Sequence, residues 1–326
     1  MSHTAEPLKA WSDPPYRIAL GVFLATFAGY LWTLAPTVTF WDAGEFIAAS
    51  KILGIPHPPG TPVFVFMSHV WADIVRIGNW AYRTNLMTAT FSAAGTALMF
   101  LVVVQALRRG DGTDDLEQRI FAYGGAIAAA IASAFAFTVW QNSNETEVYM
   151  VAAFSIAAMC WLSWLWRRHR GTARAAHILL LIVYLQAFSV GNHLLTLLVG
   201  PAIIGFLWHV QRTEPLANEV DRKVEWAQWY VVAGVWAMLV GTGLGSTGLF
   251  VVGAVAFAIA AVVASMTGGW RFAAMVFITA VVGASTYYFI YLRAGLQPFI
   301  NEADPSTFDS LLAVIRRDQY PPRRPW

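Results

Sequence analysis

Asp42 and Glu45 stand three residues apart in the stretch TFWDAGEFIAASKILGIPHPPGTP, Thr39 to Pro62, and His57 closes the same stretch among four prolines. Carboxylates and an imidazole are the side chains of general acid–base chemistry, in which a carboxylate within hydrogen-bond reach takes the proton of an attacking hydroxyl. The i,i+3 spacing puts both acids on one face of a short helix, expected to end at Gly54. Thr39 with Asp42 three residues later also matches a capping box, so Asp42 has a purely structural alternative as a cap. Phe46, Ile47 and Ile52 give that helix an apolar side able to lie on a membrane surface. The run PHPPGTP cannot continue a helix through its prolines and is expected as an extended turn around His57.

Further polar residues interrupt apolar sequence downstream. VFVFMSHVWADIVRIGNW reads as a second interfacial helix or a half-span, with His69, Asp73 and Arg76 near one face. YRTNLM then brings Arg83 to the mouth of a long apolar run. QNSNETEVYM places Glu145 and Glu147 at a helix start, where acids are also favoured by the helix dipole alone. VGNHLLTL sets Asn192 and His193 between two apolar runs with no charged loop to solvate them, and polar groups at such depth usually line a cavity. No H-E-x-x-H, paired cysteines or D-x-D is present, so no metal is expected. The chain has no phosphate-binding G-x-x-x-x-G-K-[ST] loop and no G-x-S-x-G, which argues against nucleotide hydrolysis and a serine hydrolase. The lone Cys160 lies in an apolar run, forms no internal disulfide and reads as a small buried hydrophobe.

The elements that must hold these groups are membrane helices. Of 326 residues 57% are hydrophobic and only 12% charged, about half the charge of a soluble domain; mean hydropathy is +0.54. Apolar runs occur near 17–35, 85–107, 120–140, 149–166, 176–191, 193–210, 229–245, 247–266 and 272–291, each close to the ~20 residues a bilayer core requires. The fold expected is therefore all-α and polytopic, with roughly nine transmembrane helices and a long first outer loop, 36–84, carrying short interfacial helices. Residues 1–291 form the transmembrane domain and 292–326 an outer C-terminal tail. Arginine and lysine concentrate in the loops 108–119, 167–174 and 211–223, which the positive-inside rule places in the cytoplasm together with the N-terminus. Lys9 and Arg17 precede the first run, which lacks a cleavage motif and reads as a retained signal anchor. The acidic loop, Gln141–Val148, Gly191–His193 and the tail then share the outer face, although Arg316, Arg317, Arg323 and Arg324 make the tail basic near its end. The small net charge of +2 says nothing about nucleic acid, the basic residues held in short clusters indicate topology, and no nucleic-acid partner is expected.

An outer loop with an acidic helix followed by HPP resembles the GT-C glycosyltransferases, which use lipid-phosphate sugars. The segments FWDAGEFIAASKILGIPHPPGTPVF, YRTNLMTATFSA, NETEVYM, GNHLLTLL and LRAGLQPFINEADPSTFDSLLAVIRRDQY are similar to a membrane-protein family that includes a vertebrate lumenal protein O-mannosyltransferase and many bacterial members. The first and last segments are the specific ones. The resemblance implies an inverting transfer of a sugar, with mannose the leading candidate, from a polyprenyl-phosphate donor to a protein or glycan acceptor on the outer face. It makes Asp42 the base, with Glu45 the near alternative, and requires no cofactor. It assigns Arg83 and Arg293 to the donor phosphate, and His57, Asn85, Glu147, Tyr149, Asn192 and His193 to substrate binding. Membrane lipids surround the helices, and a bacterial inner membrane with the active face periplasmic is the expected location. Family members often continue past RRDQY, so the tail is read as the start of a truncated further region, which keeps a short or split member open. Two other functions stay open: a non-catalytic membrane subunit and a transporter of lipid-linked sugars. An enzyme requires Asp42, His57, Arg83, Glu147 and His193 to converge on one site; in a scaffold they scatter.

Overall fold

The computed structural model describes residues 14–108, 115–266 and 268–320, so Lys9, half of the loop 108–119, and Arg323 and Arg324 lie outside the described residues. The described chain is helical throughout, its strand-like pairing limited to one isolated bridge, Ile55 with Asn301. In order the helices are α1 Tyr16–Thr33, α2 Ala43–Ile52, α3 Pro62–Ile74, α4 Trp80–Leu107, α5 Leu116–Ala134, α6 Phe137–Ser143, α7 Val148–Arg168 and α8 Ala173–Val190. A 3-10 turn, Leu194–Val199, leads into α9 Gly200–Thr213, then α10 Glu219–Gly243, α11 Thr247–Met266, α12 Trp270–Ala284, α13 Tyr287–Ala294 and α14 Phe308–Arg316.

Every apolar run of the sequence is a helix, but the expected count of nine spans is not reached. Among the described residues six segments are long and apolar enough to cross a bilayer: α4, α7, α8, Leu194–Thr213, α11 and Trp270–Ala294. A seventh is added if α5 and α6, bent by 68° at their junction, are one span. Neither α1 nor α10 is among them. Arg17 opens α1, and the first two turns of α10 carry Glu219, Asp221, Arg222, Lys223 and Glu225, which costs each helix apolar length. The protein is an integral membrane protein whose spanning segments satisfy their backbone groups within helices, as hydrocarbon demands.

Two interior clusters organise the bundle. Trp166, Met159, Leu179, Leu207, Val231 and Val276 join α7, α8, α9, α10 and α12. Phe100, Leu101, Val104, Val22, Ala126 and Trp161 join α1, α4, α5 and α7. Small residues let backbones approach where helices pair, as membrane interfaces favour: a Cβ on Gly253 of α11 would sit 2.6 Å from the backbone nitrogen of Met238 in α10.

The loop between α1 and α4 packs as part of the bundle. Phe46 of α2 and Phe64 of α3 are buried with Met87 of α4 and Val148 and Val151 of α7. Phe46 and Ile47 therefore face protein, not lipid, and of the expected membrane-facing side only Ile52 is exposed. The tail returns to this loop: Ile55 donates its N–H to the Ile300 carbonyl at 2.7 Å and accepts from Glu302 N–H at 3.1 Å. Ile55 is also buried with Tyr287, Ile290, Leu311 and Val314, which fixes α14 beside the HPP turn.

Candidate active site at the acidic end of the bundle

Helix α2 begins at Ala43 with Asp42 as N-cap, but the Asp42 side chain makes no cap hydrogen bond and the Thr39 hydroxyl has no partner. The expected capping box is not formed. Trp41 and its positive φ of 65° turn the chain sharply before the helix, which carries Asp42 out of capping position. Its carboxylate is left exposed at the start of α2.

Glu45 lies one turn further and is committed. Its two oxygens accept the His57 backbone N–H at 2.7 Å and the His57 ring Nδ1–H at 2.6 Å. Burial works against its charge, but these hydrogen bonds hold Glu45 below the usual carboxylate range. The same bond to Glu45 lifts His57 above the usual imidazole value. The HPP turn exists to deliver this contact: Leu53, left-handed at φ 52°, ends α2, and Pro56 forbids its continuation. Asp42, Glu45 and His57 each bring one ligand atom within 4.8 Å of the others, so the trio has the spacing to take a divalent cation.

Glu147 reaches the cluster from the N-cap of α7. It is 7% exposed, and burial, followed by the charges of Asp42 and Glu145, pushes it up to about 7. Tyr149, exposed on the next turn, meets the His193 ring at 5.2 Å between centroids. Asn192, buried beside His193, donates to the Val148 carbonyl at 3.1 Å and holds the α8 end against the start of α7.

Other expected site residues serve the frame. Asn85 is fully buried and donates to the Ala35 and Thr37 carbonyls at 2.9 and 3.1 Å. Its carbonyl oxygen accepts from Thr146, next to Glu147. The Arg83 guanidinium donates to the carbonyls of Ala72 and Gly78, closing the turn after α3. Arg293 donates to the carbonyls of Ile52 and Leu53 and so caps α2 from the end of α13. Asp42, Glu45, His57, Glu147, Tyr149 and His193 thus gather, while Arg83 and Arg293 spend their donors on backbone oxygens.

Two residues not selected from the sequence also arrive. Glu302 lies close enough to Glu45 for burial and the Glu45 charge to raise it above the usual carboxylate range. Arg317 lies 4.7 Å over the Tyr320 ring, whose hydroxyl donates to the Pro58 carbonyl of the HPP turn. The available signal was their occurrence in the tail segment LRAGLQPFINEADPSTFDSLLAVIRRDQY, one of the two specific stretches of the resemblance.

The opposite end of α7 carries the arginines. Its 21 residues separate Glu147 from Arg167 by about 30 Å. There Arg167 pairs with Glu214, and Arg170 forms a two-point ion pair with Glu225 at 2.7 and 2.6 Å.

Residues 42–216, more than half of the chain, match the family described as the Protein O-mannosyl-transferase TMEM260 N-terminal domain. A relative from Mus musculus, "Protein O-mannosyl-transferase TMEM260", is 31% identical over 139 residues, which cover 43% of this chain and 18% of the relative. A Dictyostelium discoideum relative, "Protein O-mannosyl-transferase tmem260", is 23% identical over 192 residues, covering 55% of this chain and 22% of the relative. The matches thus span about a fifth of these relatives' length. No solved structure matches.

Proposed function

This chain belongs to the TMEM260 family of membrane protein O-mannosyl-transferases through their N-terminal domain, and on that premise we propose that it transfers a mannosyl-type sugar from a polyprenyl-phosphate donor to a hydroxyl of a protein or glycan acceptor. The observation that carries the proposal is the gathering of Asp42, Glu45, His57 and Glu147 from three separate chain segments at one end of the bundle. A lipid-borne donor arrives from the bilayer side of such a site and a water-borne acceptor from the other.

Asp42 acts as the base. Glu45 has both oxygens occupied by His57, whereas the Asp42 carboxylate is exposed and makes no cap bond. Asp42 removes the acceptor O–H proton as the acceptor oxygen bonds to the anomeric carbon. The carbon–oxygen bond to the donor phosphate breaks, and the phosphate leaves with the electron pair. Configuration inverts, and no covalent enzyme intermediate is needed. Glu45 and His57 hold the loop in register, and Glu147 and Tyr149 line the sugar's side. The reaction runs without a metal on this reading: His57 and Glu45 are engaged with each other by hydrogen bonds, and Asp42 is kept for the acceptor proton. The acidic end faces away from the cytoplasm, by the arginine asymmetry of the loops.

Reconstituted protein supplied with radiolabelled polyprenyl-phosphate mannose tests this. Asp42→Asn is expected to lower turnover by about 10²–10⁴-fold with an unchanged Tm, since the side chain makes no cap bond. Equal turnover by the variant removes Asp42 as base. EDTA is expected to leave the rate unchanged; loss on chelation, restored by a divalent cation, reassigns Asp42, Glu45 and His57 as ligands.

A further inference from the structure

The donor's phosphate has no obvious partner among the arginines that spacing singled out, because Arg83 and Arg293 are spent on carbonyls. Two other guanidinium groups are differently placed. Arg316 ends α14 and Arg317 is its C-cap, held left-handed at φ 61°. Such a backbone is costly for a side chain larger than glycine's and tends to persist at functional positions. Among the described residues neither guanidinium makes an ion pair or hydrogen bond. Arg317 lies 4.7 Å over the Tyr320 ring, whose hydroxyl donates to the Pro58 carbonyl of the HPP turn at 2.9 Å. Arg317 is thereby tied to the loop that bears His57.

Arg316 is the preceding residue at the end of α14. It lines a groove of about 260 Å³ between α14 and the turn joining α10 to α11. Gly241, Thr242, Phe250, Leu312 and Ile315 complete most of the wall, which bears no carboxylate. An apolar groove with a cation at its rim, followed by a second cation and then by acids, matches in order an isoprenoid chain, a phosphate and a sugar. Guanidinium is suited to the middle part, since it binds phosphate oxygens through paired N–H groups.

We propose that Arg316 and Arg317 are the phosphate-binding pair of the donor site, with the isoprenoid chain in the groove beneath α14 and the sugar directed toward Tyr149 and Asp42. The assignment rests on the polyprenyl-phosphate reading given above. It makes the tail a working part of the site.

Binding of undecaprenyl phosphate to the purified full chain, measured by native mass spectrometry in detergent, tests it without requiring turnover. Arg316→Gln with Arg317→Gln is expected to weaken binding about tenfold or more, while Arg212→Gln, in the last turn of α9 at the other end of the bundle, binds as the wild type does. Inorganic phosphate and phosphatidylglycerol at the same concentration are expected not to displace the probe. Displacement by phosphatidylglycerol overturns the proposal in favour of a general anionic-lipid patch, and displacement by inorganic phosphate removes the groove from it. Wild-type binding with an equally tight double variant overturns this inference and leaves the donor reading standing. Absence of binding by the wild type removes both. Should the double variant lose thermal stability, Arg317→Gln compared with Arg317→Lys at matched Tm decides the matter, and equal binding by these two overturns it.

Discussion

Glu147 is the residue whose burial and charge are most at odds. An acid whose folded value is raised holds its proton longer in the native state than in the unfolded chain. Folding stability then falls as pH rises through the window from the ordinary value of 4.5 to about 7, and is level above it. The difference is worth about 3 kcal/mol across that window. Glu147→Gln is expected to abolish this slope and to be the more stable form at pH 8, as read by thermal unfolding between pH 4 and 8. Parallel pH profiles for the two proteins would show that Glu147 ionises freely and is not held among Asp42 and Glu145. The neighbouring pair behaves oppositely. His57 is raised, so its contribution is lost as pH rises through its folded value; Glu45 is lowered, so its contribution is lost as pH falls through its own. Between those limits the HPP turn is pinned to α2.

At the scale of elements, α2 depends on a cap that comes from the far end of the chain. Arg293 satisfies the carbonyls of Ile52 and Leu53, which the end of α2 leaves without helical partners. Arg293→Ala is expected to cost about 1.5–3 kcal/mol, the range for hydrogen bonds to charged groups. Turnover is expected to drop while affinity for undecaprenyl phosphate stays near wild type, because the lesion moves Glu45 and His57 and not the arginine pair. A selective loss of donor affinity would return Arg293 to the phosphate. Helices α10 and α11 give a second test. Gly253 meets the α10 backbone, whereas a Cβ on Gly248 in the same helix meets nothing within 4 Å. Gly253→Ala is expected to lower Tm, and Gly248→Ala to leave it unchanged or raise it slightly by improving helix propensity. Equal effects would mean that the two helices are not in close contact.

For the whole molecule the question is sidedness. Helix α7 sets the acids at one end and Arg167, Arg168 and Arg170 at the other, and α8 returns the chain so that His193 meets Tyr149. The arrangement requires the two ends to face different compartments. Val38 and Ala217 are exposed near opposite ends of the bundle. In a Cys160→Ala background, Val38→Cys and Ala217→Cys are expected to react with a membrane-impermeant maleimide from opposite sides of sealed vesicles. Labelling of both from one side would rule out the donor and acceptor routes proposed.

Membership of the all-α membrane class, the position of every apolar helix and the acidic first loop are determined by the sequence alone. Hydropathy over a bilayer-length window is a local property, and neither hydrocarbon nor the HPP turn leaves the backbone much choice. The sequence also marks Asp42, Glu45 and His57, because their spacing is short and falls within one loop. What it does not determine is which charged groups are free. Asp42 stays open and Glu45 is occupied only because the HPP turn folds back on α2. Arg83 and Arg293 resemble Arg316 and Arg317 as letters, yet the first pair closes helix ends and the second lies at a groove and over the Tyr320 ring. The burial of Phe46 and Ile47 and the arrival of Glu302 likewise depend on packing between segments far apart in the chain. Local periodicity carries no record of those contacts, so only the tertiary structure decides them.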